Sequence, residues 1–332
     1  MKFLIAGLGS IGRRHLRNLV ALGESDIMLY RTQRSTLPEQ DLAGYPVETD
    51  LQAALAHKPE AVIIANPTAL HLDVAIPAAQ AGCHLFLEKP ISHSLDRIEE
   101  LQAAVQRGGG KVLVGFQFRF HPGLRKIAAL LREGALGRPI SVRVHWGEYL
   151  PAWHPWEDYR QGYAARTDLG GGVALTLCHP LDYLHWLLGK VDTLFAYTGH
   201  FSDLEVQVED TAEMVLRYQN GAVGSVHLNY YQRPPLHTLE IACSQGSIRW
   251  DNADGNVHIY QAEQNLPAWE TFAVPQGFER NWMFMDEMRH FIELAGGGAQ
   301  PLCSLEDGIY TLKLVRAASQ AAREMKAQRI PA

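Results

Sequence analysis

The chain opens with a glycine-rich turn between a short apolar run and an amphipathic stretch. The apolar run covers residues 2–6, the turn reads Gly-Leu-Gly-Ser-Ile-Gly over 7–12, and the helix-like stretch covers 13–20. In a strand–turn–helix unit the first glycine permits the tight turn, the second admits a pyrophosphate and the third lets helix and strand pack closely. The unpaired amides at the start of the helix would hold the phosphates. A turn that binds nothing is the alternative. The residues predicted to contact a dinucleotide here are Gly7, Gly9, Ser10, Ile11 and Gly12.

Strand and helix signals alternate through the rest of the first third of the chain. Continuous apolar runs are typical of strands buried on both faces, and single helices between them imply right-handed parallel crossovers. We therefore predict a doubly wound parallel sheet, a Rossmann domain, over residues 1–119. The further strands are predicted at 27–30, 61–65, 84–87 and 112–116, and the helices at 70–81 and 95–106.

After residue 120 the pattern changes from continuous to alternating apolar runs. Alternation is typical of strands exposed on one face, and Asn-Gly, Gln-Gly or Asp-Gly pairs between such runs favour hairpins. Residues 120–332 are therefore predicted to form an α+β domain with a large, mainly antiparallel open sheet, closed by helices at 284–294 and 305–326. The strands are predicted at 140–146, 193–198, 211–218, 222–231, 238–243, 246–250 and 256–260.

Bulk properties exclude several classes of partner. The 332 residues carry a net charge of −6, which disfavours a nucleic-acid surface, and no apolar stretch is long enough to span a bilayer. The four cysteines are scattered singly and the histidines show no ligand spacing, so we expect reduced thiols and no metal site. Because Met1 leads directly into the first strand, we expect no signal peptide and a cytoplasmic protein.

Several motifs along the chain resemble those of one family, the Gfo/Idh/MocA oxidoreductases, which are named for glucose-fructose oxidoreductase and inositol dehydrogenase. The resemblance covers essentially the whole chain. It implies a pyridine-nucleotide-dependent oxidation or reduction of a sugar, polyol or nucleotide-sugar derivative, and a C-terminal sheet that pairs subunits into a homodimer or homotetramer. The motifs are the turn at 7–12, Ala-Asn-Pro-Thr-Ala-Leu-His at 65–71, Glu-Lys-Pro at 88–90, Gly-Gly-Gly at 170–172, His179, and Leu-Leu-Gly at 187–189.

The resemblance assigns the chemistry to Lys89 and His179. Hydride transfer from a carbinol requires removal of the hydroxyl proton, a task for a group with a pKa near neutrality. Lys89 would stabilise the developing negative charge, and His179 would act as general base in oxidation and general acid in reduction. A strand-capping lysine and a packing histidine are the alternatives.

The chain departs from the family pattern just before His179. Relatives usually carry an Asp after the glycines, whereas Thr176 stands there and the spacing is one residue shorter. Asp182, three residues after His179 and on the same helical face, is our hypothesis for the acidic group; a capping carboxylate is the alternative. The full set predicted to bind substrate is Lys89, Arg119, Trp153, Tyr159, Arg166, Thr176, His179 and Asp182.

The aromatic segment 146–160 suits the apolar faces and hydroxyl edges of a sugar ring, although subunit packing would also explain it. Arg119 and Arg166 are predicted to bind a phosphate or carboxylate of the substrate in a bidentate manner.

The end of the second strand bears on the choice of nicotinamide cofactor. NAD-dependent relatives usually carry an acid there for the ribose 2′-hydroxyl, whereas this chain has Arg31, followed by Thr32 and Arg34. A 2′-phosphate would be attracted by these groups, so NADP(H) is favoured and NAD(H) is the alternative. The remaining residues assigned to the cofactor by resemblance are Asn66, Pro67, His71, Glu88 and Lys89.

Together these features predict an NAD(P)-dependent dehydrogenase or reductase of carbohydrate metabolism. Two other readings stay open. One is a redox-neutral glycosidase that oxidises and re-reduces its substrate on retained cofactor. The other is a non-enzymatic, cofactor-sensing regulator on the same fold.

Overall fold

The computed structural model describes residues 1–32, 42–262 and 268–331. Its strands are Phe3–Ala6 (β1), Ile27–Tyr30 (β2), Val47–Glu48 (β3), Ala61–Ile64 (β4), His84–Glu88 (β5), Val112–Gly115 (β6), Pro139–Tyr149 (β7), Val191–Gly199 (β8), Thr211–Tyr218 (β9), Val223–Asn229 (β10), Tyr231–Cys243 (β11), Gly246–Asp251 (β12), Val257–Gln261 (β13), Trp269–Phe272 (β14) and Gln328–Arg329 (β15). Its α-helices are Ser10–Ala21 (α1), Leu51–Ala56 (α2), His71–Gln80 (α3), Ile98–Gly108 (α4), Pro122–Arg132 (α5), Val173–Thr176 (α6), His179–Leu188 (α7), Arg280–Ala295 (α8) and Leu305–Glu324 (α9).

The chain divides into two compact units. The first contains Met1–Gln117 and Glu279–Ile309, and the second contains Phe118–Phe278 and Tyr310–Ala332. The predicted boundary after residue 119 lies close to this division. The prediction differs from the structure in giving all of 120–332 to the second domain, because residues 279–309 return to the first unit.

The returning segment belongs to the first unit because α8 packs against α1. The guanidinium of Arg14 lies 4.5 Å from the ring centre of Phe284, and the Asn281 amide donates to the side-chain oxygen of Asn18 at 3.0 Å. A sequence reading that follows the chain in order could not detect such a return, because the two helices are far apart in the sequence.

The first unit is built on a parallel sheet of six strands in the order β3-β2-β1-β4-β5-β6. All residues of β1, β4 and β6 are buried, as continuous apolar runs between two layers of helices require. The strand order is that of a dinucleotide-binding Rossmann sheet. The predicted doubly wound parallel sheet is therefore confirmed.

The second unit is built on a sheet of nine strands in the order β14-β13-β12-β11-β7-β10-β9-β8-β15, in which β7 and β10 pair in parallel and the other neighbours pair antiparallel. Alternation fixes its register: in β7, Val142, Val144 and Trp146 are buried, whereas Arg143 is exposed. The predicted mainly antiparallel sheet is confirmed.

Two differences from the predicted strands have local causes. The run predicted as one strand at 222–231 is divided at Tyr230, whose amide donates to the Asp210 carbonyl at 3.0 Å and whose carbonyl accepts from the Leu150 amide at 2.9 Å. The strand predicted to begin at 238 begins instead at Tyr231, through a register irregularity between Tyr231 and Leu236.

The four cysteines are free thiols with buried side chains. Within the described ranges, none of the helices is both long and apolar enough to cross a membrane. The same ranges contain no group of three or more His, Cys, Asp or Glu side chains arranged to hold a metal ion.

Candidate active site

The glycine turn after β1 has the geometry that its three glycines predicted. Gly7 has φ of +93°, and a Cβ on it would lie 2.4 Å from the backbone nitrogen of Asn66. A Cβ on Gly12 would lie 1.9 Å from the carbonyl oxygen of Gly7, so helix and turn are in direct contact. A Cβ on Gly9 would meet no atom within 4 Å, so this position is open. Two glycines therefore serve packing, and one leaves space beside the backbone.

The amino end of α1 is suited to an anion. Gly9 precedes the helix, and the first intrahelical hydrogen bond runs from the Arg13 amide to the Gly9 carbonyl at 3.1 Å. The amides of Ser10, Ile11 and Gly12 therefore have no partner within the helix, and the first turn has no acidic residue. The helix dipole adds positive potential at this end. The open backbone at Gly9 and these amides fit the pyrophosphate of a dinucleotide.

The other predicted cofactor residues lie at the carboxyl ends of neighbouring strands of the same sheet. Arg31 and Thr32 follow β2, Asn66 and Pro67 follow β4, and Lys89 follows β5. Because β2, β1, β4 and β5 are adjacent and parallel, these residues share one edge of the sheet with the glycine turn. Ligands of doubly wound sheets bind at this edge.

The strand-end residues differ in exposure. The Arg31 side chain is buried and its amide donates to the Glu48 carbonyl at 3.1 Å, whereas Thr32 is exposed. Arg34, also predicted to bind the cofactor, lies outside the described residues.

The segment after β4 is braced by local hydrogen bonds. The Asn66 side-chain amide donates to the Leu70 carbonyl, and Nε2 of His71 to the Asn66 carbonyl, both at 2.9 Å. Burial lowers the pKa of His71, so its ring is neutral at physiological pH and suits a fixed donor. His71 thus shapes the backbone around Asn66.

The Glu88 side chain is buried in the first unit, where protein groups bind both of its carboxylate oxygens. Its Oε1 accepts a 2.7 Å hydrogen bond from Nε2 of His15, and its Oε2 accepts one from the Lys89 amide at 3.2 Å. Both carboxylate oxygens are therefore engaged by protein groups, whereas the Lys89 side chain is half-buried. The family resemblance implies a cofactor role for Glu88 and gives no role to His15. A histidine three positions after Gly12 on the helical face toward the sheet was the available signal.

In the second unit, His179 is the first residue of α7, followed by Pro180. Its side chain is buried, with its ring centre 5.1 Å from that of Phe118 and 5.5 Å from that of Trp146. The Trp146 ring in turn stacks on His237 at 4.2 Å, with 2° between the planes. An aromatic wall thus restricts the orientation of the His179 ring.

Asp182 and Arg119 form a buried ion pair. Nε and one terminal nitrogen of Arg119 approach the two oxygens of Asp182 at 2.7 to 3.2 Å, and the side chains are 3% and 1% exposed. Arg119 as a substrate-binding residue and Asp182 as the acidic group beside His179 stay predictions. The structure adds that the two side chains bind each other, and a buried charge is stable only with a partner.

Thr176 closes the short helix α6, one turn after the glycine turn at 170–172. Its side chain is buried, with 2% of its surface exposed. Gly172 has φ of +113°, and a Cβ there would lie 2.5 Å from Oε1 of Glu209, a carboxyl whose pKa is raised by burial. The side chain at the position of the family's Asp is therefore neutral and buried.

The aromatic segment supplies Trp153 and Tyr159, which line a small cavity in the second unit. The Trp153 ring meets Tyr230 edge to face at 5.6 Å, and the Tyr159 hydroxyl accepts from the Glu205 amide at 3.1 Å. Arg166 is paired with Asp168 at the surface, its Nε 2.9 Å from a carboxylate oxygen. Arg166, one of the two arginines predicted to bind a substrate anion, thus has an acidic neighbour.

The Rossmann sheet, the open glycine turn and the residues at its carboxyl edge define a dinucleotide-binding oxidoreductase. The model of the oxidoreductase family with an NAD-binding Rossmann fold matches residues 1–116, and that of the GFO/IDH/MocA C-terminal domain matches 124–249. The chain belongs to the Gfo/Idh/MocA family of oxidoreductases, as its motifs predicted.

Individual relatives match the chain along almost its full length. An oxidoreductase of Bacillus subtilis, YrbE, is 27% identical over 95% of this chain and 92% of its own, and the myo-inositol 2-dehydrogenase of Thermotoga maritima is 26% identical over 99% and 98%. The solved structure of levoglucosan dehydrogenase in complex with NADH and levoglucosan has a TM-score of 0.90 at 20% identity, covering 100% of both chains. At that identity the likeness supports the fold.

Proposed function

We propose that the protein is an NADP(H)-preferring dehydrogenase or reductase that acts on a carbohydrate alcohol or ketone. The observation that carries this proposal is the shared edge of the first sheet, where the open turn at Gly9, Arg31, Asn66 and Lys89 follow adjacent parallel strands. The sugar class is supported by the names of the relatives, which include an inositol dehydrogenase.

In this proposal the protein binds the cofactor and the substrate, orients the reacting groups, and transfers one proton. The amides of Ser10 to Gly12 hold the phosphates, and the nicotinamide, when bound, supplies or accepts the hydride. Lys89 donates a hydrogen bond to the reacting oxygen and stabilises its negative charge. His179 takes the hydroxyl proton in oxidation and returns it in reduction. Asp182, bound by Arg119, fixes the first turn of α7 and therefore the position of His179.

A substitution at Lys89 tests this assignment. We expect Lys89→Met to lower kcat roughly 100-fold, since one preorganised donor is lost. Lys111→Met is the matched control, because Lys111 stands before β6, at the opposite edge of the sheet, and donates to the Leu294 carbonyl at 2.9 Å. Equal turnover of Lys89→Met and wild type would contradict the assignment.

We further propose that the substrate is uncharged. Arg119, Arg160 and Arg166, the arginines of the second unit nearest in sequence to the predicted substrate residues, are each paired with a carboxylate. A phosphate or sugar acid would have to displace a carboxylate to gain a guanidinium partner. The cost is high for the buried Arg119–Asp182 pair and small for the exposed pairs of Arg160 and Arg166.

The direct experiment measures reduced-nicotinamide absorbance across neutral sugars, inositols, sugar acids and nucleotide sugars with both cofactors. We expect kcat/KM at least tenfold higher for a neutral compound, roughly 1.4 kcal/mol of discrimination. A charged best substrate would refute the uncharged class. Release of aglycone without net redox change would refute the dehydrogenase.

The cofactor preference rests on Arg31 at the end of β2. An acid here would bind a ribose 2′-hydroxyl, whereas a guanidinium favours a 2′-phosphate. We expect wild type to bind NADP(H) more tightly than NAD(H), and Arg31→Asp to reverse that order. A tenfold preference of wild type for NAD(H) in Kd would overturn the proposal.

We also propose a homodimer or homotetramer formed through the nine-stranded sheet. Tyr197, Val215 and Val223 lie on neighbouring strands of one face and are 50% to 54% exposed. Such apolar exposure favours burial against a second copy. Light scattering should show an oligomer for wild type and a smaller species for Val215→Lys; a monomeric wild type would contradict the proposal.

A further inference from the structure

We propose that His15 and Glu88 form a buried link that positions Lys89 relative to the phosphate-binding end of α1. The link rests on the proposed function, because it gives His15 and Glu88 a role that acts through Lys89. His15 and Glu88 are therefore positioning residues.

The link joins two elements of the first unit that carry different parts of the chemistry. His15 lies on α1, little more than one turn after Ser10, and is completely buried. Glu88 is the last residue of β5, is 6% exposed and directly precedes Lys89. Their 2.7 Å hydrogen bond connects the helix that begins at the glycine turn to the strand that ends at Lys89.

The second oxygen of Glu88 extends this connection to Lys89. Oε2 accepts from the Lys89 amide at 3.2 Å, so one carboxylate contacts both the helix and the backbone of the lysine. A displacement of α1 along its axis therefore changes the position of Glu88 and, through it, the point from which the lysine side chain starts. Misplacement by about 1 Å at a reacting centre can cost roughly 100-fold in rate.

Packing leaves the link little freedom. The His15 ring meets Phe86 edge to face at 4.7 Å and Phe284 at 6.3 Å. On the other side, a Cβ on Gly115 would lie 3.3 Å from the Glu88 carboxyl, so the backbone of Gly115 lies close to the carboxylate and limits its movement. The two side chains thus transmit displacement instead of absorbing it.

Loss of the histidine would disturb the carboxylate directly. A buried carboxylate that loses a hydrogen-bond donor carries an uncompensated desolvation cost, and it relieves that cost by moving toward another donor. This movement changes the bond to the Lys89 amide. The structure therefore implies an effect on catalysis in addition to any effect on stability.

The test compares His15→Leu with His15→Gln and with a control on the same strand. Leucine fills the space without a donor, whereas the glutamine amide reaches about as far as Nε2. His84→Leu is the matched control, because His84 begins β5 and its Nδ1 accepts from the Lys111 amide at 3.0 Å, remote from Lys89 along the strand. For each variant we measure kcat, the cofactor Kd by fluorescence titration, and Tm.

We expect His15→Leu to lower kcat at least tenfold and to raise the cofactor Kd severalfold, with His15→Gln recovering most of both. His84→Leu should lower Tm with kcat and Kd near those of wild type. If His15→Leu does not fold, His15→Asn serves instead, since its side chain is too short to reach Glu88.

Two outcomes would overturn the link. One is a His15→Leu or His15→Asn variant with a lowered Tm but with kcat and Kd unchanged from wild type. The other is a His15→Gln variant whose kcat and Kd differ from wild type as much as those of His15→Leu. Both presuppose a wild type that binds nucleotide and turns over a sugar. A wild type that binds neither nucleotide would refute the proposed function, and with it the link, so the two failures are distinguishable.

Discussion

The two units hold their functional groups by different means. In the first unit most of the key groups are backbone amides and residues at strand ends, with the buried His15–Glu88 pair as an exception, and the Lys89 side chain is only half-buried. In the second unit, His179, Asp182 and Arg119 are buried and fixed by side-chain partners. Backbone geometry tolerates exchange of most side chains, whereas an interlocked cluster does not. The second unit should therefore respond more strongly to substitution.

The Arg119–Asp182 pair offers the largest expected effect. Removing either partner alone, by Arg119→Met or Asp182→Asn, leaves a buried group without its counterpart and should cost about 3 to 5 kcal/mol of unfolding free energy. The double variant Arg119→Met with Asp182→Leu should recover most of that loss, because apolar groups of similar volume need no partner. Urea unfolding measures each value.

A surface pair in the first unit supplies the control. Arg97 contacts Glu100 and Asp73, and the three side chains are 45% to 58% exposed, so Arg97→Met should cost less than about 1 kcal/mol. The contrast between the units would be broken if Arg119→Met and Arg97→Met had equal effects.

A pH dependence of intermediate size should come from His121, also in the second unit. Burial lowers the pKa of His121 to about 4, and the ring packs against Trp250 and Phe278 at 5.2 and 5.1 Å. The unfolded chain takes up this proton near pH 6.5 while the folded chain resists it. The stability contribution is therefore complete above pH 6.5 and is lost toward pH 4, by about 3 kcal/mol.

His121→Asn isolates that contribution. Nδ1 of His121 accepts the Gly123 amide at the start of α5, and an asparagine oxygen can do the same without titrating. Urea midpoints measured from pH 7.5 to 4 should fall less steeply for this variant. Burial and the neighbouring His121 also lower the pKa of His237, so part of the slope should remain. Parallel curves for variant and wild type would argue against the assignment.

The sequence predicted what depends on periodicity and spacing. Burial on both faces makes β1 and β4 continuous apolar runs, and glycine spacing gave the turn after β1. The edge strand β14 was missed because its residues are largely exposed and its assignment depends on pairing with β13. The Arg119–Asp182 pair was missed because its members are 63 residues apart, and pairing at that separation leaves no local pattern.

Substitution of Gly9 should have the smallest effect of the changes proposed. It also separates an effect on folding from an effect on cofactor binding most clearly. Its φ of −71° suits any residue, and the space beside it is empty of protein atoms to 4 Å. We expect Gly9→Ala to leave Tm within a degree or two of wild type. The added methyl group would occupy the approach to the phosphates, so the cofactor Kd should rise about tenfold, or ~1.4 kcal/mol. Thermal unfolding and fluorescence titration measure the two quantities.

Gly12→Ala is the counterpart that should behave in the opposite way. Its Cβ would lie 1.9 Å from the Gly7 carbonyl, so α1 must move away from the turn and Tm should fall clearly. Because the two glycines are three residues apart in one turn, a difference between them cannot come from general loss of flexibility. If Gly9→Ala lowered Tm as much as Gly12→Ala and left the cofactor Kd unchanged, Gly9 would serve packing and not phosphate binding. The first unit would then not hold the cofactor through its backbone, and the contrast between the two units would be wrong.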